Sequence, residues 1–229
     1  MKAVLVLGFL FGLRHALDAD HLAAVASLAT RNPGLRRAAA RGAAWGLGHT
    51  VTLLLVGGCG LLLDARIPPG WARAAEAAVG VMLVALGVDV FRRLRRRGVH
   101  FHPHRHSDGT VHFHAHGHEP AAAHDAAHHE HRHPLPRRAI WVGMVHGLAG
   151  SAALLLLTLQ AVGSLWLGLL YIALFGLGSA AGMALLSAAI ALPLRASARR
   201  VHGLDVGLER VVGVATVLVG LWALVRAAV

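Results

Sequence analysis

Long apolar stretches separated by short arginine-rich segments dominate this chain. Six of them approach the roughly 20 residues that a helix needs to cross a bilayer. They lie at 3–29, 39–63, 71–93, 139–163, 165–192 and 205–227. Apolar runs of this length are typical of membrane-spanning helices. The pattern therefore predicts an all-α integral membrane protein with six transmembrane helices in a lipid bilayer.

The two halves of the chain resemble each other. Residues 12–17 (GLRHAL) align with 143–148 (GMVHGL), and 46–49 (GLGH) align with 176–179 (GLGS). A third match pairs Glu76, Gly80 and Gly87 with Glu209, Gly213 and Gly220. The three matches keep the same order at nearly the same offset. Because each half has an odd number of spans, the second half enters the membrane from the opposite side, which predicts an inverted-topology repeat.

This repeat divides the chain into three parts. Residues 1–93 form the first three-helix repeat, 94–138 a histidine-rich low-complexity segment, and 139–229 the second three-helix repeat.

The distribution of arginines predicts the orientation in the membrane. They concentrate between the spans on one side, at 31–41, 92–97, 137–138 and 195–200. The opposite side holds little more than Lys2, Arg66, Arg73 and Arg226. By the positive-inside rule, the arginine-rich side is cytoplasmic and both termini lie outside, as expected in a bacterial-type inner membrane. The net charge of +11 therefore orients the protein and does not indicate a nucleic-acid partner.

Charged residues interrupt the first apolar stretch, where 14–21 read RHALDADH. A charged residue at the centre of a membrane helix costs roughly 2.5–3.5 kcal/mol on insertion scales. Such a segment should therefore face protein or a water-filled cavity. On a regular helix His15, Asp18 and His21 share an arc of about 120° with Arg14, at roughly 100° per residue. Asp20 then falls on another face, so it contacts a second helix or the helix is unwound there.

Imidazole nitrogens and carboxylate oxygens together suit borderline divalent metals better than Ca²⁺ or Mg²⁺. His49 follows two glycines in the second span, and His146 is the repeat partner of His15. The predicted metal ligands are His15, Asp18, Asp20, His21, His49 and His146, with Arg14, Thr50 and Ser151 as secondary candidates. Two structural alternatives remain open: an Arg14–Asp18 ion pair within the helix, and a His49 that is only a buried hydrogen-bonding group. The single cysteine, Cys59, is expected to be a small buried residue.

The segment 94–138 holds thirteen of the eighteen histidines. It contains few large apolar residues, so we expect it to be disordered or ordered by metal, and cytoplasmic. Its candidate metal-capturing residues are His100, His102, His104, His106, His112, His114, His116, His118, His128, His129, His131 and His133. Such tracts bind transition metals whether or not the protein uses them. The segment could serve capture before export, storage after import, or sensing.

Two motifs give the chain a resemblance to the nickel/cobalt transporter family. RHALDADHLAAV at 14–25 resembles the His-x4-Asp-His element of that family, matched by His15, Asp20 and His21. WGLGHT at 45–50 resembles its Leu-Gly-His-Ser/Thr element. The resemblance is specific over residues 8–55, and implies a secondary permease for Ni²⁺ and Co²⁺, with Zn²⁺ as a further ion. The implied protein has no prosthetic group.

The direction of transport stays open. The charged octet resembles the uptake branch of that family, while six spans and a histidine-rich cytoplasmic loop resemble the efflux branch. Uptake is slightly favoured. The chain lacks a GxxxxGK[ST] loop, so it has no ATP site of its own.

Two alternatives of other classes remain. One is a membrane metal sensor or a partner that delivers metal to an enzyme. The other is a membrane di-iron enzyme, since the spacing at 124–129 resembles its histidine boxes. Those boxes must be held rigidly beside helices, which a low-complexity tract does not do. We therefore expect a protein that is not an enzyme.

Overall fold

The computed structural model contains helices and one two-stranded hairpin in the part of the chain that it describes. The elements are α1 (Lys2–His15), α2 (Ala19–Ala29), α3 (Leu35–Leu62), α4 (Pro69–Arg96), β1 (Val99–Arg105), β2 (Val111–Gly117), α5 (Arg137–Gly147), α6 (Leu165–Arg200) and α7 (Leu204–Ala228). The described residues are 2–30, 34–63, 68–96, 99–105, 111–117, 137–149, 164–200 and 204–229.

Four helices, α3, α4, α6 and α7, are long and apolar enough to cross a membrane. Each carries large apolar side chains on its outer surface, among them Leu55, Val81, Leu185 and Leu218. In water such a surface would be unfavourable, whereas lipid accepts it. The chain is therefore an α-helical, multi-pass membrane protein. Cys59 is exposed, so the expectation that it is buried is wrong.

The first predicted span, 3–29, is two helices instead of one. After α1 the chain tightens, because the N–H of Leu17 donates to the carbonyl of Arg14 and that of Asp18 to the carbonyl of His15. These i to i+3 bonds end the α-helical ladder. Asp18 has extended backbone angles and precedes α2, a position where aspartate is common. The first span is thus interrupted at the charged octet.

Helix α5 ends in the same way in the second half of the chain. The N–H of Leu148 donates to the carbonyl of Val145, and that of Ala149 to the carbonyl of His146. Helix α5 and the turn after it, 137–149, are the described part of the predicted fourth span, 139–163, and the rest lies outside the described residues.

Two predicted boundaries differ from the structure. Helix α6 continues through Pro193 to Arg200, past the predicted span end at 192. At 1.5 Å per residue this helix is about 54 Å long, well beyond the roughly 30 Å of a bilayer core. Helix α4 extends to Arg96, past the predicted span end at 93.

Part of the histidine-rich segment forms an antiparallel hairpin, so β1 and β2 are ordered, and the alternative that metal orders the segment stays a prediction. Alternation of histidine with valine and phenylalanine suits a strand, where such residues have high propensity. The register pairs the Cα atoms of His100 with His116, His102 with His114, and His104 with His112. The other six predicted capture residues, His106, His118, His128, His129, His131 and His133, lie outside the described residues.

Glycines bring the half-helices into backbone contact with the long helices. A Cβ added to Gly12 of α1 would clash with the carbonyl of Phe175 on α6. A Cβ added to Gly143 of α5 would clash with the carbonyl of Trp45 on α3. Small residues permit this close packing in membranes. It places the ends of α1 and α5 deep between the long helices.

The long helices pack in antiparallel pairs through small residues as well. Helices α3 and α6 meet where Gly46 contacts Ala180 and Gly176 contacts Thr50. The other glycine before His49, Gly48, packs closely as well, because a Cβ there would clash with the carbonyl of Ile140 on α5.

Helices α4 and α7 form the second antiparallel pair. A Cβ on Gly80 would lie 2.9 Å from the carbonyl oxygen of Gly220, and one on Gly87 would lie 2.9 Å from that of Gly213. At such distances no larger residue fits without moving the helices apart.

The buried core joins α2 to the long helices. Val25, Trp45, Leu83 and Met183, from four different helices, are almost completely buried in one cluster. This core fixes α2, and with it the charged octet, against the rest of the molecule.

Candidate metal centre

Four histidine rings meet at the interruption of the first span. His15 ends α1, His21 lies in the first turn of α2, and His49 and His146 come from α3 and α5. The ring centroids of His15 and His21 are 4.3 Å apart, and those of His21 and His146 are 4.1 Å apart. His21, His49 and His146 are almost completely buried. The four rings therefore form one cluster inside the helical bundle.

The break between α1 and α2 decides which octet residues join this cluster. A regular helix would have placed Asp20 away from His15 and His21. Because the chain is unwound at 16–18, Asp20 faces the histidines instead. The arc of His15, Asp18 and His21 was predicted for a regular helix, and the helix is not regular here. The structure agrees with the alternative, a helix that is unwound in this region.

Asp20 connects two histidines from opposite halves of the chain. Its Oδ1 lies 3.0 Å from Nδ1 of His21, and its Oδ2 lies 2.9 Å from Nε2 of His146. Since a carboxylate accepts, these geometries assign the proton to Nδ1 of His21 and to Nε2 of His146. Asp20 thus lies next to an unwound segment and also contacts a second helix. These are the two alternatives that the sequence left open for this residue.

Asp18 has a different position from Asp20. Its Oδ2 accepts a hydrogen bond of 2.8 Å from Nδ1 of His15, and more than half of its side chain is exposed. Asp18 pairs with this histidine, and Arg14 is not its partner among the ion pairs of the described residues. The carboxylate therefore orients His15 from the mouth of a cavity.

Several ring nitrogens of the cluster have no hydrogen-bond partner among the residues that the structure describes. They are Nε2 of His15, Nε2 of His21, Nδ1 of His146 and both nitrogens of His49. Buried polar atoms are rarely left in this state. A nitrogen that is unpartnered opposite a carboxylate-bound N–H is the usual arrangement of a metal-binding histidine.

Two groups of residues in the cluster have ligand atoms close enough to hold one ion. His15, His21 and His49 form one, and Asp20, His21 and His146 form the other. Within each group the ligand atoms lie within 4.8 Å of one another. Three nitrogens, or two nitrogens and an oxygen, fit nickel, cobalt or zinc.

A cavity of about 600 Å³ leads to the cluster. Its lining includes Asp20 and His146 of the cluster and, near the start of α4 and the end of α7, Glu76 and Arg226. Asp18 lies on its wall as well, so three carboxylates line the cavity, those of Asp18, Asp20 and Glu76. Carboxylates that line a cleft attract cations.

The opposite end of the bundle is bridged by ion pairs. Oδ2 of Asp89 on α4 lies 3.3 Å from Nε of Arg93 and 3.3 Å from an amino nitrogen of Arg138 on α5. Arg93 also donates to the carbonyl of Ser27 and, over 3.0 Å, to the hydroxyl of Thr30 at the end of α2. These contacts tie α2, α4 and α5 together beneath the cluster.

The secondary candidates lie outside the cluster. The hydroxyl of Thr50 donates over 2.7 Å to the carbonyl of Gly46 in its own helix. Arg14 is exposed, and Ser151 lies outside the described residues.

Two aromatic residues that were not predicted pack against the histidine rings of the cluster. Trp45 packs against the rings of His21 and His146, with centroids 5.3 and 5.4 Å away. Phe175 packs against His15 at 5.3 Å. The signal for Trp45 was its position one helical turn before His49, which puts both residues on the same face.

The similarity to one relative shows the family of this chain. The chain is 35% identical over 204 residues to the urease accessory protein UreH of Bacillus sp. (strain TB-90), covering 88% of this chain and 82% of the relative. The chain belongs to the UreH family. This similarity extends well beyond the 8–55 region that carries the two motifs. No family model matches the chain, and no solved structure matches it.

Proposed function

We propose that this UreH-family protein is a secondary permease for divalent transition-metal ions, Ni²⁺ or Co²⁺, with Zn²⁺ as a competing ion. One observation carries the proposal. Buried nitrogens of His15, His21 and His49 have no partner among the described residues and lie within reach of one ion. Hydrocarbon strongly disfavours such polar groups unless they serve a function.

The surroundings of these nitrogens support a metal. Nδ1 of His15 is held by Asp18, and Nδ1 of His21 by Asp20. A carboxylate behind a histidine fixes the ring and makes the opposite nitrogen a better ligand. Neutral imidazoles with a nearby carboxylate favour Ni²⁺, Co²⁺ and Zn²⁺ over Ca²⁺ and Mg²⁺. The proposed permease acts without a prosthetic group, an ATP site or an enzymatic reaction.

Equivalent contacts in the two halves support two inverted three-helix repeats. The sequence alignment matches position 12 with 143 and position 175 with 45. The contact between Gly12 and Phe175 therefore has its counterpart in that between Gly143 and Trp45. Likewise the contact of Gly80 with Gly220 corresponds to the one of Gly213 with Gly87 (positions 80 and 213 are matched).

The interrupted helices support the same architecture. Both α1 and α5 end near the middle of the bundle with the same pair of i to i+3 hydrogen bonds. Broken helices in equivalent positions of two repeats form the substrate site of many secondary transporters.

The proposed orientation places the cavity on the outer side of the inner membrane. The cavity lies at the start of α4 and the end of α7, far from the arginine-rich ends of the helices. The bridge of Asp89, Arg93 and Arg138 lies at the arginine-rich end, which is cytoplasmic by the positive-inside rule. In this arrangement the termini are outside, the histidine-rich segment is cytoplasmic, and the structure corresponds to an outward-open state.

Uptake is the favoured direction. An inward-moving divalent ion gains about 4.6 kcal/mol per 100 mV of membrane potential, from roughly 2.3 per charge. UreH is named as an accessory protein of urease, and import is the direction that would deliver an ion to an enzyme inside the cell.

Efflux is the alternative, and one observation favours it. The hairpin pairs six histidines at facing positions of two strands, on the side proposed to be cytoplasmic. Such a segment is suited to capture metal there before export.

Flux of ⁶³Ni²⁺ into oriented proteoliposomes tests the proposal. We expect uptake that increases with an inside-negative potential. His15→Ala and Asp20→Asn should lower it at least tenfold, while His114→Ala in the hairpin, the same kind of change outside the cluster, should leave uptake above half of the wild-type rate. Absence of uptake by the wild type, or full uptake by both cluster variants, would overturn the proposal.

A further inference from the structure

We propose that the histidine cluster contains two overlapping coordination sites that share His21 and hold one ion in turn. The outer site consists of Asp20, His21 and His146, and the inner site of His15, His21 and His49. This inference rests on the proposed function, because it describes how a transported ion would pass the cluster.

The outer site faces the cavity. Asp20, His21 and His146 all belong to the cavity lining. The carboxylate is about one-third exposed, so an ion arriving through the cavity reaches it without any movement of the helices. Asp20 offers it a negative charge, which assists removal of water from a divalent cation.

The inner site reaches deeper than the outer site through His49, which is completely buried and is absent from the described residues that line the cavity. The centroid of its ring is 5.4 Å from that of His15 and 5.3 Å from that of His21. The ring of His146 is farther away, at 6.1 Å. His49 therefore belongs with His15 and His21, and it is the member of this site that lies away from the cavity, since His15 and His21 both line it.

The protonation of His21 makes the two sites exclude each other. A neutral imidazole has one N–H and one lone pair. With the proton on Nδ1, as the contact with Asp20 assigns it, Nε2 is free to bind an ion in the inner site. An ion bound at Nδ1 in the outer site requires the proton to be on Nε2, which then cannot bind metal.

Transfer between the sites is thus a ligand exchange at His21. The ion leaves Nδ1, Nε2 gives its proton to a water molecule, Nδ1 takes a proton from water, and Nε2 binds the ion, so the number of protons on the ring does not change. The released Nδ1–H donates to Asp20 again. His146 undergoes the corresponding change when the ion leaves the outer site. Its Nδ1 gives up a proton and its Nε2 takes one up, so that Nε2 again donates to Asp20.

Titration of the purified protein with Co²⁺, followed by its visible absorption, tests this inference. The full-length chain is used with the histidines of 100–133 changed to asparagine, so that only the cluster binds metal. We expect one Co²⁺ per chain with three imidazole ligands. His49→Ala should still bind one Co²⁺, at least tenfold more weakly and with a changed spectrum, and should transport none.

His146→Ala should keep the wild-type spectrum at saturation but bind Co²⁺ at least tenfold more slowly in stopped-flow measurements. His21→Ala should bind no Co²⁺. His49→Asn, which preserves the size and polarity of the side chain, should behave like His49→Ala and excludes misfolding as the cause.

Different results would contradict the proposed function and the inference of a shared ligand. If the histidine-substituted protein neither binds nor transports Co²⁺, the proposed function is wrong. If it does both but binds two Co²⁺ per chain, or if His49→Ala and His146→Ala have the same spectrum and the same association rate, the shared-ligand inference alone is wrong.

Discussion

Nε2 of His146 donates a hydrogen bond of 2.9 Å to Oδ2 of Asp20, although the two residues are 126 positions apart. The bond joins α5, from the second half of the chain, to α2, from the first. Because His146 is almost completely buried, losing its acceptor would leave a polar atom inside an apolar bundle. Asp20 thus links the two halves of the chain by a hydrogen bond at the candidate metal centre.

Replacing the two carboxylates of the octet should have unequal effects. Asp20→Asn removes the charge that accepts from both His21 and His146, so we expect Ni²⁺ affinity and uptake to fall roughly 10–100-fold, as for other carboxylates behind metal-binding histidines. Asp18→Asn should cost about tenfold or less, because Asp18 is exposed and its carboxylate is bonded to His15 alone among the residues that the structure describes. Isothermal titration in detergent and ⁶³Ni²⁺ flux measure both quantities. Equal losses for the two variants would contradict the different roles assigned to them.

Much of this site could be predicted because charge is so unfavourable in an apolar stretch. Five polar residues between 14 and 21 could not face lipid, and His49 and His146 were the other histidines within predicted spans. The structure brings His15, Asp20, His21, His49 and His146 together.

The arrangement of these residues could not be predicted in the same way. The break after His15 occurs without a proline or glycine at 16–18, and Asp18 before α2 is one of two aspartates in the octet, so residue type alone does not locate the break. In the structure Asp18 has extended backbone angles and its carboxylate binds His15 across the break. The position of Asp20 in the cluster follows from that break and from its contact with His146 in the other half of the chain. The periodicity of the sequence predicts neither of them.

The hairpin was not predicted, although its sequence has the period of a strand. The alternating histidines at 100–104 and 112–116 have the period of a strand, but composition argued for disorder. Pairing of two such runs with each other satisfies the backbone without a large apolar core.

The contact of Gly143 with the carbonyl of Trp45 should be intolerant of a side chain. Gly143→Ala would move α5 away from α3 and displace His146, so we expect a lower thermal unfolding temperature in detergent and at least tenfold lower uptake. Gly70→Ala is the matched control, since a Cβ there meets nothing within 4 Å. Alanine favours a helix by about 1 kcal/mol over glycine, so the control should be unchanged or slightly more stable. Equal stability of the two variants would contradict the close packing of α5 on α3.

Breaking the bridge beneath the cluster should open the bundle at the arginine-rich end. Arg93→Gln removes the charge that pairs with Asp89 and donates to Thr30, so α2 and α4 are held together less firmly. We expect loaded proteoliposomes to lose ⁶³Ni²⁺ several times faster than with the wild type. Arg36→Gln is the control, because Arg36 is exposed at the start of α3 and away from the bridge. Release at the same rate from both variants would show that the bridge does not close the path.

Labelling of single cysteines should give opposite results at the two ends of the bundle. In a Cys59→Ser background, Gly70→Cys lies at the start of α4, near the cavity, and Arg36→Cys lies at the start of α3, at the arginine-rich end of the bundle. Both positions are exposed, so a difference in reaction with a membrane-impermeant maleimide reports only the side of the membrane. In intact cells we expect Gly70→Cys to react and Arg36→Cys to react only after the membrane is permeabilised, because arginine-rich segments stay in the cytoplasm. The reverse result would place the cavity and the outer site on the cytoplasmic side, where an ion would enter for export, and would favour efflux over uptake.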